Sequence, residues 1–297
     1  MKTSTRERID GLVMAAPWLI GFFVFVLSPT VRTFIFSFQD YDIIHPPVWV
    51  GLDNYRRLFA DEVFGTSMYN TAYYSLVSVP LQLLFALFLA FLIGRRIVLK
   101  TLITSIYFLP SVITGVAVAL IWKLMFQGSY GVLNTLLGYV GITGPVWLDS
   151  PEWSKVALVI LSLSRIGTFM IIYMAAIQGV PRDLYDAAEI DGAGQVRQFT
   201  RITVPIITPA IFFTLIIGFI YSFQIFTEVM SLTLNFVGGP GGPARSTLML
   251  VVYLYQEAFT FLRMGYAATL AWVLLIMVLV LTAANFWLGK RWVHYER

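Results

Sequence analysis

Residues 63–94 read VFGTSMYNTAYYSLVSVPLQLLFALFLAFLIG, with no charged side chain between Glu62 and Arg95. A helix crosses the hydrocarbon core of a bilayer with about 20 mostly apolar residues, and this stretch exceeds that length. Further runs flank it. Residues 11–31 lie between Asp10 and Arg32, 101–122 between Lys100 and Lys123, 202–227 between Arg201 and Glu228, and 264–289 between Arg263 and Lys290, all uncharged. Residues 156–181 carry one charge, Arg165. The pattern predicts an all-α polytopic membrane protein with six transmembrane helices, over about 11–31, 66–94, 101–122, 156–180, 203–227 and 264–289, in one transmembrane domain spanning 1–297.

Composition agrees. The 297 residues are 58% hydrophobic and 12% charged, against about 45–50% and about 25% in soluble domains. That charge cannot solvate a globule of this size, which argues against a soluble enzyme, a disordered chain or a nucleic-acid binder. The net charge of +4 is split among short clusters between apolar runs, so it forms no polyanion-binding patch. Cysteine is absent, which removes disulfides, thiolate metal sites and a cysteine nucleophile.

The first run is too long for a cleavable signal peptide and lacks a small-residue cleavage site. Pro17 and Pro29 are expected to mark its ends. Residues 124–148, broken by six Gly or Pro positions from Gly128 to Pro145, and residues 246–262, which follow the turn run Gly238–Pro243, read as interfacial or re-entrant segments. Lys2, Arg6, Arg8, Arg95, Arg96, Lys100, Arg182, Arg197, Arg201, Lys290, Arg291 and Arg297 fall on one side of this topology. Fewer basic residues, Arg32, Arg56, Arg57, Lys123, Lys155, Arg245 and Arg263, occupy longer loops on the other. Positive charge accumulates in cytoplasmic loops, so both termini are expected in the cytoplasm. Trp147, Trp153, Trp287 and Trp292 are expected in interfacial aromatic belts.

The loop between the fourth and fifth spans carries the strongest motif. It runs from Asp183 through Asp186-Ala187-Ala188-Glu189 to Asp191-Gly192-Ala193-Gly194, then to Val204-Pro205. Pro181 lies outside a helix start, Asp183 is expected to cap it, and acidic residues in the first turns suit the helix dipole. Gly192 and Gly194 are expected to end it. The result is a short helix over about 183–194, outside the membrane, with Ala187 and Ala188 allowing close docking on another protein.

This loop resembles the EAA loop of binding-protein-dependent ABC importer permeases. The family pattern is Glu-Ala-Ala, three residues, Gly, nine residues, Ile, one residue, Leu-Pro. Asp186-Ala187-Ala188, Gly192, Ile202 and Val204-Pro205 match its spacing, with Asp186 for Glu and Val204 for Leu. The segment Val50–Phe59, Asn70-Thr71, Val79-Pro80-Leu81-Gln82, Leu109-Pro110, Gly238-Gly239-Pro240, Tyr253-Leu254-Tyr255 and Gly265-Tyr266-Ala267-Ala268 are similar to sugar permeases of the larger maltose-transporter-subunit type. The resemblance implies a type I ABC importer permease fold in a bacterial inner membrane. It also implies a second permease subunit, two ATPase subunits that carry ATP and Mg, and an extracytoplasmic solute-binding protein that delivers a sugar. Asp186 and Glu189 would then contact the ATPase, with Ala187, Ala188, Asp191, Gly192, Gly194 and Pro205 shaping the coupling element.

No Gly-x-x-x-x-Gly-Lys-Ser/Thr, His-Glu-x-x-His or Gly-x-Ser-x-Gly motif occurs. His45 and His294 fall on opposite sides of the expected membrane, so they share no metal. No catalytic constellation, cofactor or metal is expected on this chain.

Arg165 is costly at the centre of a span and should face a cavity or a partner. A cavity-lining arginine would favour a uronate or phosphorylated sugar; a structural arginine would pair elsewhere. Leu161, Arg165 and Thr168 are four and three residues apart, hence on one helical face. Gly218, Tyr221, Ser222 and Ile225 form a similar stripe, with Tyr221 suited to stack on a pyranose. Asn70, Tyr73, Tyr74 and Gln82 are weaker candidates, while Gln224 and Glu228 are expected at the outer end of the fifth span, contacting the binding protein or capping the helix. Alternatives are an ABC permease for an amino acid, phosphate or phosphorylated polyol, and a secondary transporter. The latter would show an internal repeat and paired intramembrane acids, and the predicted span interiors contain no acid.

Overall fold

In a computed structural model, which describes residues 5–94, 99–234 and 239–293, the run quoted first is a single helix, Glu62–Gly94, of 33 residues. Leu, Phe and Ala dominate its second half, and Pro80 sits inside it without ending it. The helix is the spine of one of two compact units. The first unit comprises Met1–Asp61 and Leu254–Val273; the second comprises Glu62–Tyr253 and Leu274–Arg297. Lys2, Arg95, Arg96, Gly238, His294 and Arg297 lie outside the described residues.

Three helices are long and apolar enough to cross a membrane: Asp10–Phe36, Glu62–Gly94 and Met264–Gly289. The other three expected spans are bent pairs. Lys100–Val112 meets Gly115–Met125 at 106°, Pro151–Leu163 meets Gly167–Gln178 at 44°, and Gln195–Ile206 meets Thr208–Phe223 at 68°. Among the described residues the length and composition allow up to six spans, if each bent pair is one span. The spans expected over 101–122, 156–180 and 203–227 thus each contain a bend that uncharged length does not reveal. In the first pair Ile113 and Thr114 adopt extended backbone just beyond Pro110, which lacks an N–H for the ladder. Pro17 and Pro29 do not bound the first span: both lie within helical backbone running from Thr5 to Phe36, with a wider-wound turn at Phe22–Leu27. Pro29 removes one ladder donor, and a local widening of the helix re-satisfies backbone groups freed in this way.

In the first unit a two-residue ribbon pairs Gln39 with Trp49 and Asp40 with Val48. Asn54 donates to the carbonyls of Ser37 (3.1 Å) and Gln39 (2.9 Å). The Tyr266 hydroxyl donates to Asp61 Oδ2 at 2.6 Å, and Arg57 lies 4.5 Å over the Tyr266 ring. Gly265 packs against the Gln39 carbonyl, where a Cβ would collide. Two motifs far apart in sequence, Val50–Phe59 and Gly265–Ala268, thus form one structure.

In the second unit Val79, Leu83, Ala86, Ala90 and Ile93 of the spine pack on Ile166, Phe169, Met170, Tyr173 and Met174. The Tyr173 hydroxyl shares a 2.6 Å hydrogen bond with Thr214. Residues 248–250 are buried here against the spine, with Asn70 donating to the Arg245 and Leu248 carbonyls and Thr71 accepting from the Leu250 N–H. Within 124–148 the structure has one helix, Val132–Tyr139. Trp147 is buried rather than in a belt: its indole donates to Asn134 at 2.7 Å, and its ring packs between Phe126 and Trp153.

Candidate functional site: the acidic loop helix and the broken spans

The loop helix spans Arg182–Ile190, with Pro181 at its N-cap and no capping side chain. Asp183 therefore lies in the first turn, where it meets the dipole, and does not cap. The C-terminal end is closed by backbone bonds from Gly192 N–H to Glu189 (3.0 Å) and from Ala193 N–H to Ala188 (2.9 Å). This pair of bonds is the Schellman arrangement, which needs a left-handed residue after the helix, and Gly192 supplies it at φ +72°. Gly194 has a different task from the one expected. At φ −67° it is the N-cap of the next short helix, Gln195–Gln198.

Asp183, Asp186, Ala187, Glu189, Asp191 and Gly192 are all exposed. Ile190 stands among them at 88% exposure, an apolar side chain that the motif reading passed over. The helix is anchored from behind. The Tyr185 hydroxyl bonds to that of the buried Thr203 at 2.7 Å, and Phe199, in the same segment as Thr203, packs 4.2 Å from the Phe91 ring near the end of the spine. Pro205 follows in the turn Val204–Ile206, just before the 68° bend.

The expected substrate-path residues are dispersed. Leu161 is buried, Arg165 partly buried and Thr168 exposed, because the helix breaks at Ser164–Ile166 and the shared face ends there. Gly218 is buried against Val79, Ser222 is buried, and Tyr221 is 68% exposed. Ile225 lies past the helix end at Phe223, so it leaves the stripe. Asn70 and Tyr74 are buried in the core, and Lys155 Nζ donates to Asn70 Oδ1 at 3.0 Å while facing the rings of Tyr69 and Tyr73.

Arg165 makes an ion pair with Glu228. Glu228 is only 9% exposed, in the first turn of Thr227–Thr233. It neither caps the preceding helix nor reaches the surface as Gln224 does. The predicted span interiors do lack acids: Glu228 sits just beyond the Thr208–Phe223 helix, and its burial there is what the sequence did not show. In the first unit Glu257, 3% exposed, is a second buried acid, paired to Arg263 at 3.3 Å. Arg165 therefore has a counter-ion inside the chain while its side chain stays 36% exposed. Among the described residues no cluster of His, Asp and Glu could hold a metal.

The family model for the inner membrane component of binding-protein-dependent transport systems matches residues 82–294. The chain belongs to that family. As such a membrane component, it is 38% identical over 98% of its length, and 94% of the relative, to the probable ABC transporter permease protein YesP of Bacillus subtilis (strain 168). It is 36% identical to the lactose transport system permease protein LacF of Rhizobium radiobacter, covering 95% of this chain and 94% of that one. A solved bacterial ABC transporter involved in import of the acidic polysaccharide alginate contains a chain that superposes with TM-score 0.82 at 25% identity, covering 96% of each. Multi-pass membrane insertion follows from the family and from the apolar helices.

Proposed function

We propose that this chain is one of two permease subunits in an ATP-driven importer of a sugar or oligosaccharide. The sugar assignment is supported by the lactose and alginate transporters among the similar proteins. A solute-binding protein delivers the sugar outside, a second permease completes the pathway, and two ATPase subunits hold ATP and Mg. Both termini and the Arg182–Ile190 helix face the cytoplasm. An acidic saccharide fits this reading as well as a neutral one, since Arg165 keeps part of its side chain exposed beside Glu228 and an alginate importer is among the similar structures.

The observation that carries the coupling role is an exposed acidic helix whose far side is tied into the bundle. Asp186, Glu189 and Ile190 meet the ATPase groove, the acids by polar contact and Ile190 by burial. Closure of the ATPase dimer moves the helix as a lever. Tyr185–Thr203 and Phe199–Phe91 pass that motion to the spine and to the bend before Thr208–Phe223. Leu161, Arg165, Thr168, Gly218, Tyr221, Ser222 and Ile225 remain the residues proposed for the sugar path, Tyr221 foremost.

Co-purification from membranes tests this reading. Wild type should bring a second permease and an ATPase. Glu189→Lys and Ile190→Ser should stay inserted and keep the second permease but lose the ATPase. A wild-type chain that purifies with no ATPase overturns the importer reading.

A further inference from the structure

Three interruptions of the helices in the second unit meet at one place. Arg165 lies in the break between Pro151–Leu163 and Gly167–Gln178. Glu228 opens Thr227–Thr233, after the Phe223 helix end. Gly115 is the first residue after the 106° turn. A Cβ added to Gly115 would lie 3.3 Å from Glu228 Oε1, 3.3 Å from Thr227 Cγ2 and 3.6 Å from Arg165 Nη1. At Gly167 a Cβ would lie 2.5 Å from the Tyr107 carbonyl oxygen and 2.7 Å from Phe108 Cα. Backbone therefore closes on backbone at Gly167, where the second break packs on the Lys100–Val112 helix, while Gly115 meets the side chains of the ion pair that joins the second break to the third.

The breaks are also cross-satisfied. Ser111 Oγ donates to the Arg165 carbonyl at 3.5 Å, and Trp122 Nε1 donates to Ser164 Oγ at 3.1 Å, which itself donates to the Leu161 carbonyl at 2.7 Å. Irregular backbone at membrane depth persists where it is buried in protein or lines a water-filled cavity, and here protein groups satisfy it. A charge pair in a low-dielectric interior is costly to separate one partner at a time. Broken elements held by such contacts have discrete arrangements, as hinges do.

We propose that Glu228 is a positioning residue of the transport cycle: by holding Arg165 against Gly115 it clasps the three interruptions in one conformation, and the clasp opens when the spans reorient. The proposal rests on the importer reading. Wild-type co-purification of the ATPase, measured first, separates failure of that reading from failure of the clasp.

The test uses the complete complex in proteoliposomes, without binding protein. Glu228→Gln releases the clasp and Gly115→Ala wedges it, so both should raise basal ATP hydrolysis about fivefold or more, the low end of usual allosteric coupling. The exchange Arg165→Glu with Glu228→Arg should return it toward wild type. Loss of a purely structural contact would lower assembly without raising hydrolysis. Because the chain has no cysteine, Thr227→Cys gives a single labelling site on this chain, read on its own band after the subunits are separated, with the pair intact. Its maleimide reaction rate should differ about fivefold between the resting and ATP-trapped complex. An assembled Gly115→Ala complex with wild-type hydrolysis, or equal labelling rates in the two states, overturns the proposal.

Discussion

The Arg182–Ile190 helix and the Arg165–Glu228 pair place charge in opposite ways. The helix concentrates four acids within nine residues of one another, Asp183, Asp186, Glu189 and Asp191, and leaves all of them exposed. Among the described residues none of them is held in an ion pair, and their geometry is set by neighbours a few residues away. The pair joins residues separated by 63 positions, both removed from full solvation, and each residue is the other's compensation. An exposed charge cluster is free to meet a partner; a buried charge is committed to one. Mutations should therefore act on partner binding without loss of stability in the first region, and on stability together with the proposed clasp in the second.

The largest effect that sharpens this contrast is expected from Glu228→Ala. It leaves Arg165 inside the bundle without its counter-ion, and one-sided removal of a buried pair costs about 3–5 kcal/mol. Arg165 is 36% exposed in its side chain, so the low end, about 3 kcal/mol, is expected after discounting for solvent. Thermal unfolding followed in detergent should show a clear loss for Glu228→Ala and none for Glu189→Lys. Equal losses would dissolve the distinction between the regions.

A smaller effect separates the two glycines of the loop. Gly192→Ala forces a Cβ into left-handed backbone and costs about 1 kcal/mol. Gly194→Ala, at an ordinary φ with open space around it, should cost a few tenths. The same melting assay, read alongside ATPase capture, checks the order. If Gly194→Ala proved the worse of the two, the Schellman closure would not be what ends the helix.

The smallest effect concerns another exposed charge pair, His45 with Asp42 at 2.7 Å. The hydrogen bond to Asp42 raises the His45 pKa above its ordinary value and lowers that of Asp42. The sign for His45 follows from linkage: its raised folded pKa stabilises fully below the unfolded value, about 6.5, and that contribution is lost as pH rises through the folded pKa. For Asp42 the contribution is present above its unfolded value and lost as pH falls through the lowered one. NMR titration of the imidazole should show the upward shift, and Asp42→Asn should abolish it. An unshifted wild-type titration would break the assignment.

The long apolar runs, the loop helix and the family were legible because each depends on neighbours in sequence. Spans are read from uncharged length, and the loop motif from spacing within a single segment. The bends were not legible. Residues 101–122 form an uncharged run of spanning length, yet they turn by 106°, since apolar length does not report backbone direction and Pro110 is tolerated within its helix. The helical faces were cut short for the same reason, since periodicity holds only while the helix continues: Leu161 and Thr168 fall on opposite sides of a break, and Ile225 lies past the end of the helix that carries Gly218, Tyr221 and Ser222. No sequence signal tied Glu228 to Arg165.

What the residue order determined by itself is that this chain enters a membrane, that it presents an acidic glycine-ended helix outside it, and that it belongs with transporter components. Local chemistry suffices for these, because hydropathy and helix ends are properties of contiguous residues. Only the tertiary structure decided where the spans break and which charges face each other across the breaks. Those outcomes depend on packing between segments distant in sequence, where a glycine's missing Cβ and a buried carboxylate acquire meaning only from what lies opposite.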